Sequence, residues 1–328
     1  MDGVKISNMR NIFFKLLLLL LMASCQQKSE VDQAVTAIPV AIKVSRFDKI
    51  FFESNPSELS MLKKDYPDFF PKDVPDSIWI EKMTNPMWKE LYNEVQKKYG
   101  NFEGQKTEIE DLFKHAKYYF PDTPTPEVIT VIAEMDYNNK VIYTGDMVLI
   151  ALELYLGKDH EFYQSEFPAY IRQNFEAHQI IPDIVSAFAV NKVPEPTNKN
   201  LLSQMIFAGK ELYLKDLMIP DYSDADKIGY TPEQVLWCEE NENYMWRYFL
   251  EENLLYDSDS KLASRFINKA PFSKFYLEID NESPGRVGAW IGWQIVRSYM
   301  QNNHTGVQQM LLMDNAEIFN RSKYKPKK

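Results

Sequence analysis

Apolar residues recur at intervals of three and four in segment after segment of this 328-residue chain, and this spacing favours a mostly helical fold. The clearest helix begins at Thr231, which is followed by Pro232 at the first helical position and by Gln234 at the third, and it extends to about Tyr256. The other predicted helices cover residues 56–64, 86–99, 107–116, 146–156, 170–190 with an interruption at Pro182, 201–217, 261–267, 285–301 and 307–319.

Strands are predicted in only two places. Val40, Ile42 and Val44 alternate with other residues within 38–52, which indicates a strand there. The apolar segments 128–133 and 141–143 flank an Asn-Asn pair and predict a β-hairpin. Neither a long polar linker nor an internal repeat divides the body of the chain. The sequence therefore predicts an α+β fold, a predominantly α-helical single domain over 39–319 with a few short strands.

The first 24 residues are typical of a lipoprotein signal peptide. Basic residues precede an unbroken leucine run at 16–21, which is too short to span a bilayer because a spanning helix needs about 20 apolar residues. Ala23 and Ser24 directly before Cys25 resemble a bacterial lipobox, in which the cysteine is lipidated and becomes the first residue of the mature protein. Met22 departs from the pattern, since leucine is usual there. The alternatives are an ordinary signal peptide cut elsewhere or a short anchor helix.

Lipid chains on Cys25 would hold the protein at a membrane of the cell envelope, with its domain facing the periplasm. The polar segment 25–38 is predicted to be a tether, and 320–328 a frayed basic tail. Gln26 after the lipidated cysteine does not decide between the inner and the outer membrane. Signal peptide, palmitate anchor and membrane localisation are thus expected together.

Composition and charge exclude several classes of protein. The formal net charge of -10 is unsuited to a nucleic-acid partner, because phosphate contacts require lysine and arginine. Two cysteines cannot build a disulfide scaffold or a cysteine-rich zinc module. After lipidation of Cys25, Cys238 is the only thiol, and its helical context predicts a buried position.

The chain carries no spacing that is typical of catalysis. Each of the four histidines stands without a second histidine three or four residues away, and neither HExxH nor a nucleophile elbow nor a glycine-rich phosphate loop is present; the histidines are His115, His160, His178 and His304. The acids of the 221–226 loop match a calcium-binding loop only in part. The sequence predicts no catalytic residue, no metal site and no cofactor.

Residues around 285 are candidates for an interface or a ligand site. Gly285, Gly288 and Gly292 fall on one helix face, where either a neighbouring helix or a ligand could approach the backbone closely. Arg286 at the helix start opposes the helix dipole unless an acid compensates, and Asp280, Glu282 or an acid on the 231–256 helix are the expected partners. Arg286 is therefore either half of a structural ion pair or a contact residue.

Glu239 and Glu242 are candidates as well, early in the 231–256 helix. Acids at this position favour the helix dipole, so solvated or capping roles are expected. If they lined a cleft together with Glu211, they could take part in acid–base chemistry.

Several long segments resemble the gliding motility lipoprotein GldB of gliding bacteria. They are Phe47-Asp48-Lys49 and residues 143–159, 201–220, 224–259 and 265–300. The resemblance implies an envelope lipoprotein required for movement over surfaces, with other gliding and type IX secretion proteins as partners. It implies no catalytic residues, since no enzymatic activity is established for that family.

The order of elements also resembles that of gluzincin-type zinc peptidases, whose HExxH helix precedes a helix that supplies a glutamate ligand. Here the closest strings are 178–182 and 182–186, and Ala208-Gly209 stands where Glu-Gly is usual, so the resemblance implies a degenerate, non-catalytic relative, a pseudoenzyme. Three functions stay open: a non-enzymatic, lipid-anchored gliding component, a metal- or carboxylate-dependent envelope hydrolase of gluzincin-like ancestry, and a glycan- or peptide-binding lipoprotein.

Overall fold

The computed structural model describes residues 30–327. They divide into two compact units, of which the first ends at Pro39 and the second begins at Val40. Helix α1 (Glu30–Thr36) forms most of the described part of the first unit, so the segment predicted as a tether contains a helix. Cys25 and the predicted signal peptide lie outside the described residues.

The second unit is mostly helical, as the apolar spacing predicts. Its helices are α2 (Phe47–Glu53), α3 (Leu59–Asp65), α4 (Asp76–Thr84), α5 (Pro86–Tyr99), α6 (Glu103–Tyr119), α7 (Glu161–Gln164), α8 (Ala169–Arg172), α9 (Ile180–Val190), α10 (Leu201–Met218), α11 (Asp224–Ile228), α12 (Pro232–Glu251), α13 (Lys261–Phe266), α14 (Val287–Asn302), α15 (Val307–Leu312) and α16 (Asn315–Ser322). Short 3-10 turns cover Pro56–Glu58, Pro67–Phe69, Leu152–Leu154, Ala177–Gln179 and Glu278–Asn281.

A four-stranded mixed sheet lies among these helices. Its strands are β1 (Val44–Ser45), β2 (Glu127–Val131), β3 (Val141–Tyr143) and β4 (Met147–Ala151), and their order in the sheet is β1-β2-β4-β3. The first three in that order run parallel, while β3 lies antiparallel to β4 at one edge. The architecture is therefore α+β and predominantly helical, with a few short strands.

Two of the predictions for this region are wrong. The segment 146–156 contains strand β4 and not a helix, because a strand buried on both faces presents the same continuous apolar run as a buried helix. The predicted hairpin does not pair β2 with β3, because β3 pairs instead with β4 through a tight turn at Gly145, whose φ is +106°. The strand expected within 38–52 covers only β1; residues 38–43 form neither a strand nor a helix, and helix α2 begins at Phe47.

The ends of several helices also differ from the prediction. Helix α6 begins four residues before Thr107, whose hydroxyl donates to the carbonyl of Glu103 within the helix and so caps nothing. The predicted 170–190 helix is divided into α8 and α9, with Pro182 in the first turn of α9, where a missing N–H is tolerated. The predicted 307–319 helix is divided into α15 and α16, because Asp314 caps a new helix. Thr231 forms the expected capping box with Gln234.

Helices α10 and α14 cross at the centre of the second unit with their backbones in contact. A Cβ atom on Gly292 would lie 1.7 Å from the carbonyl oxygen of Met205, and one on Gly209 would lie 2.3 Å from the backbone of Gly292. Trp290 and Trp293 of α14 are fully buried beside this crossing.

None of the helices within residues 30–327 is long and apolar enough to cross a membrane.

Candidate functional site

A polar cleft of about 580 Å³ opens between edge strand β3 and helices α9 and α10. The strand contributes residues 140–143, and the two helices contribute Asp183, Ser186, Glu211 and Lys215. The far wall comes from three distant segments and contains Gly229, Lys269 and Arg286. The cleft thus brings together side chains from segments that lie far apart in the sequence, from Tyr137 to Arg286.

The first acid of the cleft, Asp183, is held by a lysine and a tyrosine. Lys140 Nζ lies 2.5 Å from Asp183 Oδ2, and the Tyr155 hydroxyl donates to the same oxygen at 2.8 Å. Burial opposes ionisation, but the positive charges of Lys140 and Lys269 outweigh it and lower the pKa of Asp183. Asp183 therefore stays ionised, and Lys140, itself almost wholly buried, neutralises it.

The second acid of the cleft, Glu211, has a similar environment. The Ser186 hydroxyl donates to Glu211 Oε1 at 2.8 Å, and Lys215 Nζ lies 3.6 Å from that oxygen. Burial again opposes ionisation, and the charges of Lys215 and Arg286 reverse its effect, so the pKa of Glu211 is lowered. Lys215 also donates to the carbonyl of Lys227 at 2.8 Å, which fixes its ammonium group.

Two cations of the cleft have no acid partner. Lys269 forms no hydrogen bond and no ion pair with the residues that the structure describes, and desolvation together with the nearby charge of Lys140 lowers its pKa to about 8. Arg286 donates through one nitrogen to the carbonyl of Ile228 at 2.9 Å and has no carboxylate within ion-pair distance among residues 30–327. Four basic side chains face two carboxylates, so the cleft carries a surplus of two positive charges.

The ion pair expected for Arg286 is therefore absent from the described part of the chain. Of the expected partners, Asp280 is occupied by the backbone N–H groups of Phe275 and Tyr276. Arg286 has a φ of +67°, in the left-handed region that favours glycine. The segment before α14 thus holds this side chain at the cleft in spite of backbone strain.

Strand β3 presents an open backbone edge to the cleft. Ala151 N–H donates to the carbonyl of Lys140, and Thr144 N–H donates to that of Met147, so residues 140, 142 and 144 face β4. In an antiparallel pair the backbone groups of the alternate residues point away from the partner strand. The N–H and C=O groups of Val141 and Tyr143 are therefore directed into the cleft. Among residues 30–327, only the carbonyl of Tyr143 has a hydrogen-bond partner there, the side-chain amide of Asn191, which donates to it at 3.4 Å.

Gly285 and Gly288 lie in close packing beside the cleft. A Cβ atom on Gly285 would lie 2.2 Å from the carbonyl oxygen of Ala270, and one on Gly288 would lie 2.9 Å from that of Phe266. The Tyr230 hydroxyl donates to the carbonyl of Gly285. Both glycines allow the backbone contacts that position Arg286, and their role in an interface or ligand site stays a prediction.

Glu239 and Glu242 lie away from the cleft and do not approach Glu211 across it. Glu242 is buried and accepts from the Tyr324 hydroxyl at 2.7 Å, and Glu239 pairs with Lys327 at 2.8 Å. The segment predicted as a frayed tail is therefore docked against α12, because its tyrosine and lysine match these two acids. A contact role for Glu239 and Glu242 stays a prediction.

The histidines give no support to a peptidase-like metal centre. His178 is largely exposed, and its Nε2 atom lies 3.3 Å from a carboxylate oxygen of Asp226. Within residues 30–327, no three His, Cys, Asp or Glu side chains are grouped so that they could hold a metal ion.

Asp224 of the acidic 221–226 loop is bound by both terminal nitrogens of Arg297, at 2.7 and 2.8 Å. Cys238 is buried, as predicted.

Sequence reasoning identified Arg286 and named Glu211 as a possible cleft residue, but it missed the other charged residues of the cleft. Lys140 and Lys269 are single lysines in polar loops, which carry no pattern of their own. The turn at Gly145-Asp146 is the signal that could have placed β3 at an edge, since glycine in the first position of a two-residue loop favours a hairpin.

Comparison with known proteins gives one match. The sequence model of the family described as gliding motility protein GldB matches residues 28–326, nearly the whole chain. No curated protein and no solved structure matches the chain. The match over this length shows that the chain belongs to the GldB family of gliding motility proteins.

Proposed function

We propose that this GldB-family chain is a lipid-anchored, non-catalytic component of the gliding apparatus, and that it acts through contacts with other proteins. Family membership supports the involvement in gliding motility. The observation that carries the non-catalytic part is the pairing of both cleft acids with lysines, Asp183 with Lys140 and Glu211 with Lys215.

These pairs engage both carboxylates of the cleft, the groups that a carboxylate-dependent hydrolase would use. A general base must accept a proton, yet both acids have a lowered pKa and are already engaged by cations. A catalytic zinc requires three protein ligands and an open position. In the cleft the ammonium groups of Lys140 and Lys215 already balance the charge of the two carboxylates, as a bound metal cation would otherwise do. The cleft is better suited to recognition, because its remaining charges and its open strand edge are free to contact a partner.

The anchor is placed by the sequence at Cys25, with the domain in the periplasm and the lipid in a membrane of the envelope. Gliding is measured in a deletion strain complemented with the wild-type chain, Cys25→Ser or the neighbouring control Gln27→Ser. We expect Cys25→Ser to abolish gliding and to leave the membrane fraction or stay an unprocessed precursor, because it lacks the lipidated thiol. Gln27→Ser should behave like the wild type.

Three outcomes would contradict the proposal. A deletion strain that glides normally would remove the chain from the apparatus. Cys25→Ser that stays in the membrane fraction at its mature size would refute the lipid anchor. A purified chain that holds one zinc ion per molecule and cleaves peptides would favour the alternative, an envelope hydrolase of gluzincin-like ancestry.

A further inference from the structure

We infer that the cleft binds an extended, acidic peptide segment of a partner protein, which pairs with the free edge of β3 and places its carboxylates at Lys269 and Arg286. The inference rests on the proposed function and names the chemistry of the contact. It combines three features of one site, namely the open backbone edge, the unpaired cations and a cavity of about 580 Å³ that separates them.

The open edge selects an extended backbone. The outward N–H and C=O groups of Val141 and Tyr143 have the spacing of a strand edge, and a second strand can satisfy them in alternation. The side chain of Ile142 is 39 % exposed on this edge strand. Since β3 contains only three residues, an added strand would be short, and its backbone bonds alone would give modest affinity.

The charges select an acidic peptide. Lys269 and Arg286 retain unused N–H donors that point to no carboxylate within the described residues. Lys140 forms an ion pair with Asp183, and Lys215 forms one with Glu211. The positive surplus of the cleft therefore comes from Lys269 and Arg286. Hydrogen bonds between a carboxylate and a cation are about twice as strong as neutral ones, which would compensate for the short strand.

The acidic character of the rest of the chain strengthens this selection. The whole sequence has a formal net charge of -10, so a positive cleft is a local exception in a negative field. An acidic segment is therefore repelled by the net negative charge of the chain and attracted at the cleft, which favours docking there.

The test uses the full chain purified in detergent and fluorescein-labelled synthetic peptides, with binding measured by fluorescence anisotropy. The first peptide alternates Glu and Val and has capped ends. In the second peptide Gln replaces Glu. The third keeps Glu and Val but carries an N-methyl group on every backbone amide, which removes the N–H donors that strand pairing requires on both edges of the peptide. We expect the first peptide to bind and each of the others to bind at least about tenfold more weakly.

Two protein variants test the two halves of the site separately. Lys269→Met should weaken binding of the Glu-Val peptide by about tenfold, and Lys269→Arg should restore it, whereas the exposed control Lys274→Met should not change it. Val141→Pro should also weaken binding, because it removes an outward N–H while the ladder bonds of residues 140, 142 and 144 to β4 remain. Both variants should retain the melting temperature of the wild type within a few degrees.

Several results would overturn the inference. Equal binding of the N-methylated peptide would refute strand pairing, and equal binding of the Gln peptide or no effect of Lys269→Met would refute carboxylate recognition. If inorganic phosphate displaced all three peptides alike, the cleft would be a site for small anions. These results leave the gliding assay of the deletion strain unaffected, so the failure of this inference can be told from the failure of the proposed function.

Discussion

Glu153 offers a quantitative test of the buried electrostatics. Its side chain has no solvent exposure and lies in the turn directly after β4. The Oε1 atom accepts from the N–H of Ala133 at 3.0 Å, while Oε2 has no hydrogen-bond partner among residues 30–327. Burial raises the pKa of Glu153 to about 7, and backbone hydrogen bonds, including that from Ala133, and the positive charge of Lys82 offset it only in part.

The magnitude follows from the difference between the folded and the unfolded state. The ordinary pKa of this carboxyl is 4.5, so the native state holds its proton more tightly between pH 4.5 and about 7. The contribution of this carboxyl to the unfolding free energy therefore falls as pH rises through this window and is constant above it. With 1.36 kcal/mol for each pKa unit, the ionised form costs about 3 kcal/mol of unfolding free energy above about pH 7.

Glu153→Gln removes the ionisable proton and keeps an acceptor for Ala133. Urea unfolding of both proteins, followed by tryptophan fluorescence, gives the unfolding free energies at about pH 5 and about pH 8. The stability of the variant relative to the wild type should increase by about 3 kcal/mol between the two pH values. Packing effects of the substitution cancel in this comparison, because they are the same at both pH values.

The exposed Glu134→Gln is the matched control, since Glu134 lies near the same lysine at 3.9 Å but in solvent. It should leave the pH dependence of stability unchanged. If the wild type and Glu153→Gln changed in parallel between the two pH values, a raised pKa of Glu153 would be refuted.

Other substitutions test the helix crossing, the arginine network and the strained segment. Gly292→Ala should destabilise the fold by at least about 3 kcal/mol in urea unfolding, because its Cβ would meet the backbone of α10, whereas Gly104→Ala, with nothing within 4 Å, should stabilise it slightly. Unchanged stability of Gly292→Ala would contradict the crossing. Arg297→Met should cost about 3 kcal/mol, because it leaves Asp224 without an ion pair in the described part of the chain and Asp216 with Lys227 alone, and the exposed pair of Arg321 should tolerate the same change within about 0.5 kcal/mol. Arg286→Gly should be about 1 kcal/mol more stable than Arg286→Ala, because glycine accepts the positive φ, and both should weaken binding of the Glu-Val peptide; the reverse order of stability would refute the strain.

Features that depend on neighbours in the sequence were predicted well. The capping box at Thr231 and the start of α10 each depend on residues within a few positions, so their patterns are complete in the sequence. The lipobox is also a local pattern, but it lies outside the described residues, so lipidation of Cys25 stays a prediction. The long segments that resemble the GldB family are local patterns as well. The family match over residues 28–326 confirms that resemblance.

Features that depend on pairing between distant parts of the chain were predicted poorly. The apolar run at 147–151 is compatible with a helix or a buried strand, and only its position between β2 and β3 decides for the strand. The partner of Arg286 was sought among nearby acids, but the side chain lies at a cleft whose walls come from residues 140 to 286.

The sequence by itself therefore determined the helical character and the family. The tertiary structure alone decided which charges neutralise one another, because an ion pair depends on a distance of a few ångströms between side chains that are far apart in the chain. It pairs Asp183 with Lys140 and leaves Lys269 and Arg286 without a carboxylate within ion-pair distance in the described part of the chain. The pair of Glu211 and Lys215, four residues apart on α10, is the exception that a local pattern contains. For the other residues no local pattern contains the outcome, since they lie in separate segments that only packing brings together.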